Sequence, residues 1–345
     1  MSAQKKVLFV SRQIASGRAF AEWLTEDAFL KLGLNCEILC YPSSASAFLE
    51  KKIPFTSIDS FSPPTEKIDL LIIGTSLKAS EDALWLSWAK KNQIPSVCYV
   101  DQWVNYALRF QAPDFPDYIW TQDQVATDSL KKELPNCHSL ITALGTPALN
   151  ELERIQRNPQ KILTFVTEPS SFAGGDTEFK QRFGLFDLEA LSWALGEFEK
   201  NSVWQDYKIQ IALHPIDRIE RVEDYLRQHH RDWITKLSIL PSNKLQILSE
   251  SSAVIGFRTY LLFESSQLAI PTFSIQIGRT TSSDLTDCHH GIDVILTEAD
   301  LKKISVEKIS AQEMSVEKNT TKVPSPVLYK NQHSWNQAIQ QILKI

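Results

Sequence analysis

Four short stretches bring together residue types that could bind or transform a phosphorylated ligand. Ser11 to Arg18 follows an apolar run and holds Arg12, Ser16, Gly17 and Arg18. A glycine admits close backbone approach, the arginines supply charge, and a following helix offers free N–H groups at its positive end, so this is a place for a phosphate or an acceptor group. An ordinary strand-to-helix connection with solvated arginines is the competing reading. The second stretch is Gly256-Phe257-Arg258-Thr259, leading into a segment that carries Glu264 among Leu261, Leu262, Phe263 and Leu268. Gly256 permits an unusual backbone angle, Thr259 can cap the helix, and its free N–H groups would face a phosphate. An acid in so apolar a run needs a partner if buried, and ribose hydroxyls are suitable donors. A Glu on the outer helix face is the competing reading.

Leu213-His214-Pro215 is the third. His214 falls where a strand ends, and an imidazole there could bind phosphate or move a proton; a satisfied loop histidine would look the same. The fourth is Asp101-Gln102-Trp103-Val104-Asn105-Tyr106, with Arg109 eight residues after Asp101. Asp101 ends an apolar strand and is the candidate base. Trp103 and Tyr106 could stack on a sugar, and Asn105 could bond its hydroxyls, although aromatics at such spacing are more often core. Glu168-Pro169 and Gly174-Gly175 follow a later strand and read equally well as a flexible, capped loop.

The absences matter as much. No GxGxxG, GxxxxGK[ST], GxSxG or HExxH occurs, and no DxD that would clamp a divalent metal on a diphosphate. An anion would then be met by backbone N–H groups, helix N-termini and basic side chains, so the chemistry reads as metal-independent and calls for no cofactor. Cys288-His289-His290 is the one metal-like cluster, and it lacks a further ligand; a polar loop is the favoured reading.

The elements that must position these residues alternate between short apolar strands and amphipathic helices. Strands are expected at 7–11, 36–40, 69–74, 96–100 and 118–120, with helices at about 19–32, ending near Gly33, and at 80–91. The same grammar restarts with strands at 161–166, 208–213, 253–256 and 272–275, and helices from Asp187, at 222–231 and at 261–267. Apolar runs such as Leu70-Leu71-Ile72-Ile73 suit parallel strands covered on both faces. The fold class is therefore α/β, with two Rossmann-like parallel-sheet domains facing a central cleft. Residues 1–150 form the first, an acceptor domain. Residues 151–345 form the second, with a last helix at 331–345 that can pack back on the first.

The 345 residues allow about two domains. A hydrophobic fraction of 43% and a charged fraction of 22% are those of a globular protein. With 36 basic against 41 acidic residues the net charge is −5, which argues against nucleic acid as a partner. No apolar run approaches the roughly 18 residues of a membrane span. Five cysteines without a CxxC make a poor disulfide framework and read as cytoplasmic.

Together these residues resemble the two-Rossmann glycosyltransferase architecture, GT-B, and its sugar-nucleotide epimerase relatives. The resemblance rests on His214-Pro215, on Ala253-Val254-Ile255-Gly256-Phe257-Arg258-Thr259 leading to Glu264, and on the turn Leu268-Ala269-Ile270-Pro271-Thr272, which has Ala269-Ile270 where a glycine pair is usual. The first half, with Thr75-Ser76, Asp101 to Tyr106 and Thr142 to Pro147, is similar to uncharacterised bacterial surface-polysaccharide proteins of this class. The resemblance implies that Glu264 holds a ribose, that the Gly256 to Thr259 loop meets a diphosphate, that His214 contacts phosphate or sugar, and that Asp101 serves as base. It implies first a metal-independent glycosyltransferase in surface-polysaccharide biosynthesis, moving a sugar from a nucleotide-sugar donor to a glycan or lipid-linked acceptor, the latter bringing peripheral contact with the inner membrane. The alternatives are an epimerase or hydrolase of sugar nucleotides, or a binder without turnover. Donor, acceptor, stereochemistry and oligomeric state stay open.

Overall fold

A computed structural model describes residues 4–76, 80–110, 115–170, 174–200, 202–241, 243–281, 285–288, 291–310 and 332–344. The chain divides into two compact units, residues 1–153 with 325–345, and residues 154–324.

In the first unit the elements run β1 (Lys6–Ser11), α1 (Ile14–Leu24), α2 (Asp27–Leu30), β2 (Asn35–Cys40), α3 (Ala45–Glu50), β3 (Thr56–Ser57), β4 (Leu70–Gly74), α4 (Ser80–Lys91), β5 (Ser96–Val100), α5 (Tyr106–Arg109), β6 (Tyr118–Thr121), α6 (Gln124–Glu133) and β7 (Leu140–Ala143). All seven strands pair in parallel, in the order β3-β2-β1-β4-β5-β6-β7. Every residue of β4 and β5 is buried, which is why their sequences show no polar alternation. The C-terminal helix, Gln332–Leu343, belongs to this unit. Trp335 is buried in a core with Phe9, Phe20, Trp23, Tyr99 and Trp120, its ring centroid 4.7 Å from that of Trp23 and 5.0 Å from those of Tyr99 and Trp120. The polar edges are answered too: Trp335 Nε1 donates to Gly145 O at 3.2 Å and Trp23 Nε1 to Asn336 Oδ1 at 2.8 Å.

The expected helix over 19–32 is two helices that begin five residues earlier. Gly17 N and Ser16 Oγ both donate to Gln13 O at 3.0 Å, closing the first turn directly after β1. Thr25 Oγ1 bonds the carbonyls of Glu22 and Ala21, ending α1 before α2 starts. Gly33, with φ 62°, lies in the turn after α2, which ends at Leu30, short of the expected residue 32.

The second unit comprises β8 (Ile162–Val166), α7 (Asp176–Phe183), α8 (Asp187–Lys200), β9 (Lys208–Leu213), α9 (Ile219–His229), β10 (Leu237–Pro241), α10 (Lys244–Glu250), β11 (Ser251–Gly256), α11 (Tyr260–Gln267), β12 (Thr272–Ile275) and β13 (Ile292–Ile295). Its six strands are also parallel, ordered β10-β9-β8-β11-β12-β13. The first position of α8 carries the fully buried Asp187, whose carboxylate accepts from Glu168 N at 2.9 Å and pairs with Arg221 at 2.5 Å, pinning the loop after β8.

Gly184, at the end of α7, has φ +91°, and a Cβ there would lie 2.1 Å from Gly278 O and 2.8 Å from Thr280 N. Both obstacles are backbone. Gly184→Ala is therefore expected to cost about 2–4 kcal/mol, left-handed strain plus overpacking. Thermal unfolding should show a fall of about 5–15 °C. A fall under 2 °C would mean that α7 and the 278–280 turn separate freely.

Among the described residues no helix is long and apolar enough to cross a membrane.

Candidate functional site

Each sheet reverses its strand order at one point, β1/β4 in the first unit and β8/β11 in the second. In open α/β sheets ligands bind outside the carboxyl ends of strands at such a switch. Residues from all four stretches singled out in the sequence lie at the carboxyl ends of strands at or beside these two switches.

In the second unit, Thr167 and Glu168 follow β8, while Phe257 and Arg258 follow β11. Arg258 N donates to Glu168 Oε2 at 3.1 Å, bridging the switch. Gly256 does not use a left-handed angle, contrary to the expectation for it. It is small because a Cβ would meet Val166 Cγ2 at 2.8 Å. Phe257 is buried in the core with Phe179 and Ile255, so its ring cannot touch a ligand and only its backbone faces the loop. The Arg258 guanidinium stacks 4.0 Å over the Phe183 ring. Thr259 caps α11, its hydroxyl accepting from Leu261 N at 3.5 Å. Glu264, on the same helix, is buried and pairs with Lys244 Nζ at 3.0 Å. The buried acid thus finds a protein partner that the sequence reading did not name, since lysine and glutamate meet only through the packing of α10 on α11.

His214 follows β9, beside β8. Its N–H donates to Thr167 Oγ1 at 2.8 Å, and Ile216 N donates to its Nδ1 at 3.4 Å. Burial holds its pKa below the usual value, against a smaller upward pull from Asp217. At neutral pH the ring is therefore uncharged: it can donate or accept a hydrogen bond, but it does not bring the positive charge expected of a phosphate clamp.

In the first unit the carboxyl ends of β1, β4 and β5 carry a connected polar cluster. Asp101 is buried, and its Oδ1 accepts from Arg109 Nη1 at 3.4 Å. The same Nη1 reaches Thr75 Oγ1 at 3.1 Å and Thr75 O at 3.3 Å. Arg109 is itself buried, and its Nε finds no partner among the described residues. Ser76 donates from N and Oγ to Asp82 Oδ2, at 2.8 and 2.6 Å, and Arg12 Nη1 donates to Ser76 Oγ at 3.4 Å. Burial raises the pKa of both carboxyls, Asp101 against the pull of Arg109 and Asp82 against its bonds to Ser76. Asp82 escaped the sequence reading. Its signal, an acid in the first turn of a helix just beyond a strand end, is shared by ordinary capping acids.

Other expected residues go elsewhere. Ser16 and Gly17 are buried inside α1, where a Cβ on Gly17 would sit 3.1 Å from Ser11 Oγ and 3.2 Å from Ser44 Cβ; the glycine serves helix packing and not phosphate approach. Arg18 is exposed on that helix. Trp103 and Tyr106 are wholly buried, with Trp103 Nε1 on Asp123 Oδ2 at 2.7 Å and Tyr106 Oη on Ala126 O at 3.1 Å, so neither ring is a sugar platform. Asn105 adopts φ 65° and turns the chain into α5, which is what returns Arg109 to Asp101. Glu178 is exposed in the first turn of α7. Among the described residues no three His, Cys, Asp or Glu side chains gather as a metal site; His289 and His290 lie outside those residues.

No protein-family model and no curated protein matches the chain. Solved structures do. The UDP-GlcNAc 2-epimerase of Methanocaldococcus jannaschii, in complex with UDP-GlcNAc and UDP, aligns with TM-score 0.60 at 14% identity, over 97% of this chain and 99% of that one. The UDP-GlcNAc 2-epimerase of Neisseria meningitidis, bound to UDP-GlcNAc, gives 0.61 at 10%, over 99% and 100%. A glycosyltransferase of Rickettsia africae gives 0.58 at 13%, over 99% of each chain. Likeness at such identity establishes the fold alone, two Rossmann-like parallel-sheet domains, a GT-B-like fold.

Proposed function

We propose that this protein is a nucleotide-sugar enzyme that transforms a UDP-linked sugar without an acceptor, as an epimerase or hydrolase. The observation that carries this reading is the buried Asp101–Arg109 pair at the carboxyl end of β5, a carboxyl whose pKa burial raises and which a buried guanidinium braces. A carboxyl whose pKa is raised can take a proton from a substrate and return it, the work that inverting a C–H centre beside the anomeric carbon requires. Support comes from the solved relatives, among which UDP-GlcNAc 2-epimerases recur. This reverses the order of readings drawn from sequence, where transfer to an acceptor came first.

In the proposal the nucleotide goes to the second unit. Glu264 accepts from the ribose hydroxyls, the Gly256 to Thr259 loop and the start of α11 meet the diphosphate, and His214 donates a neutral hydrogen bond. Asp101 is the proton-handling group, and Arg109 and Arg12 are the cations of its surroundings. No metal takes part in any of these roles. The second reading, a glycosyltransferase with Asp101 as base toward a glycan or lipid-linked hydroxyl, is favoured by the glycosyltransferase relatives on the same fold.

The nucleotide assignment is tested by calorimetry. Glu264→Gln keeps the shape and removes the charged acceptor, so UDP should bind about 10–100-fold more weakly. The melting temperature should hold within a few degrees, because Lys244 is partly exposed and can be solvated. Unchanged UDP affinity would remove Glu264 from the site.

A further inference from the structure

One guanidinium in the second unit holds three carboxylates. Arg221, in the first turn of α9, pairs with Asp217 at 3.0 Å, with Asp176 at 2.9 Å and with Asp187 at 2.5 Å. The acids come from three places: Asp176 opens α7, Asp187 opens α8, and Asp217 lies in the loop between β9 and α9. The side chains of Asp187 and Asp217 are only 0% and 3% exposed. Buried carboxylates that outnumber their cation are costly, and stability alone does not call for such a group. Its ties run instead to the carboxyl ends of two neighbouring strands. Asp187 also accepts from Glu168 N at 2.9 Å, and Asp176 accepts from the Ser170 hydroxyl, so both fix the segment that follows β8. Asp217 N donates to His214 O at 2.8 Å, closing the turn that follows β9. Arg221 joins the two sides, its Nη1 donating to both Asp217 and Asp187, its Nε and Nη2 to Asp176.

We infer that Arg221 is a positioning residue for His214: by gripping Asp217 and Asp187 together it fixes the turn after β9 against the segment after β8, and so sets where the imidazole stands when a nucleotide binds. The inference rests on the nucleotide reading above, in which His214 meets the ligand, and adds to it a residue that does not touch the ligand. The local tie from His214 N to Thr167 Oγ1, 2.8 Å, holds the backbone at the strand end. It leaves the far side of the turn, at Asp217, to the guanidinium. A loop ordered before the ligand arrives does not charge its ordering to the binding step. The planar fork of arginine reaches several carboxylates at once in fixed directions, whereas lysine offers a point charge on a flexible stem. Arginine and lysine at this position therefore separate geometry from charge.

The test is a double-mutant cycle on the full chain, with UDP titrated by calorimetry and melting temperatures recorded throughout. His214→Ala alone should weaken UDP by about 10-fold, the loss of one hydrogen bond. Arg221→Gln should weaken it by about 5–10-fold, and Arg221→Lys nearly as much although the charge is kept. In the His214→Ala background both Arg221 substitutions should cost less than about 2-fold, because residues that act through one another are not additive. Asp217→Ala releases the turn while leaving the Arg221–Asp187 pair in place; it should repeat this pattern, and it decides the matter if the Arg221 variants do not fold. The same fold-loss with and without His214, unchanged UDP affinity in Arg221→Gln and Asp217→Ala, or full affinity in Arg221→Lys overturns the positioning role while leaving the nucleotide site standing. Failure of the wild-type chain to bind UDP, or indifference of UDP to His214→Ala, overturns the nucleotide reading of His214, and the inference with it.

Discussion

Asp101→Asn is expected to lower turnover of a UDP-linked sugar by about 10²–10⁴-fold with UDP affinity unchanged. The amide is isosteric with the carboxyl but cannot hold and release the proton. The pKa of Asp101 is raised, first by burial, with Arg109 and its own backbone N–H pulling against that. The sign for stability follows. An unfolded aspartate titrates near 3.9, so between about pH 4 and the higher folded value the native state binds more protons than the unfolded one. The contribution of Asp101 is thus fully present below about pH 4 and is lost as pH rises through the folded pKa. Asparagine does not titrate, so Asp101→Asn should gain stability relative to wild type as pH rises from about 4 through the folded pKa of Asp101. Were Asp101 only a loop cap, favoured as an anion, the slope would have the opposite sign and specific activity would survive the substitution. Denaturant unfolding at several pH values, beside kcat, reads both.

Trp335→Ala is expected to destabilise the first unit by about 3–5 kcal/mol, the range for deleting a buried indole. The ring is 1% exposed and touches four aromatic partners, Phe20, Trp23, Tyr99 and Trp120. Its loss opens a cavity at the centre of that cluster and strands the carbonyl of Gly145. The transition of this unit should fall by about 6–20 °C. Gln340→Ala, on the exposed face of the same helix, should change stability by less than about 0.5 kcal/mol. Equal effects from the two substitutions would mean that the helix does not dock through Trp335.

What could be read in the sequence follows burial. The strands ending at Ser11, Gly74, Val100, Leu213 and Gly256 are near-continuous apolar runs because both faces of each sheet are covered. The strand Leu140–Ala143 has no fully buried residue, and Thr56–Ser57 is a two-residue edge; neither carries a pattern that would announce it. The helix Gln124–Glu133 did carry a signal, the cap Asp123, whose carboxylate accepts from Ala126 N at 2.7 Å. Among the candidate site residues, Asp101 and His214 do follow strand ends, as local sequence alone indicates. The partners could not be located that way. Arg109 returns to Asp101 only because Asn105 takes a left-handed turn, and Lys244 meets Glu264 only through helix packing. Trp103 and Tyr106 sit amid polar neighbours and suggested a sugar platform. Their polar atoms are instead satisfied inside the core, so the rings need no solvent or ligand.

The central claim, conversion of a UDP-linked sugar without an acceptor, is tested most directly by following UDP-GlcNAc with the full chain by proton NMR, no acceptor present, beside Asp101→Asn. The expected result is a new anomeric signal from the epimerised sugar nucleotide, or release of UDP with free sugar, from the wild-type chain and not from the variant. An unchanged spectrum that gives way to UDP release only when a glycan or lipid-linked acceptor is added would contradict the claim and establish transfer in its place.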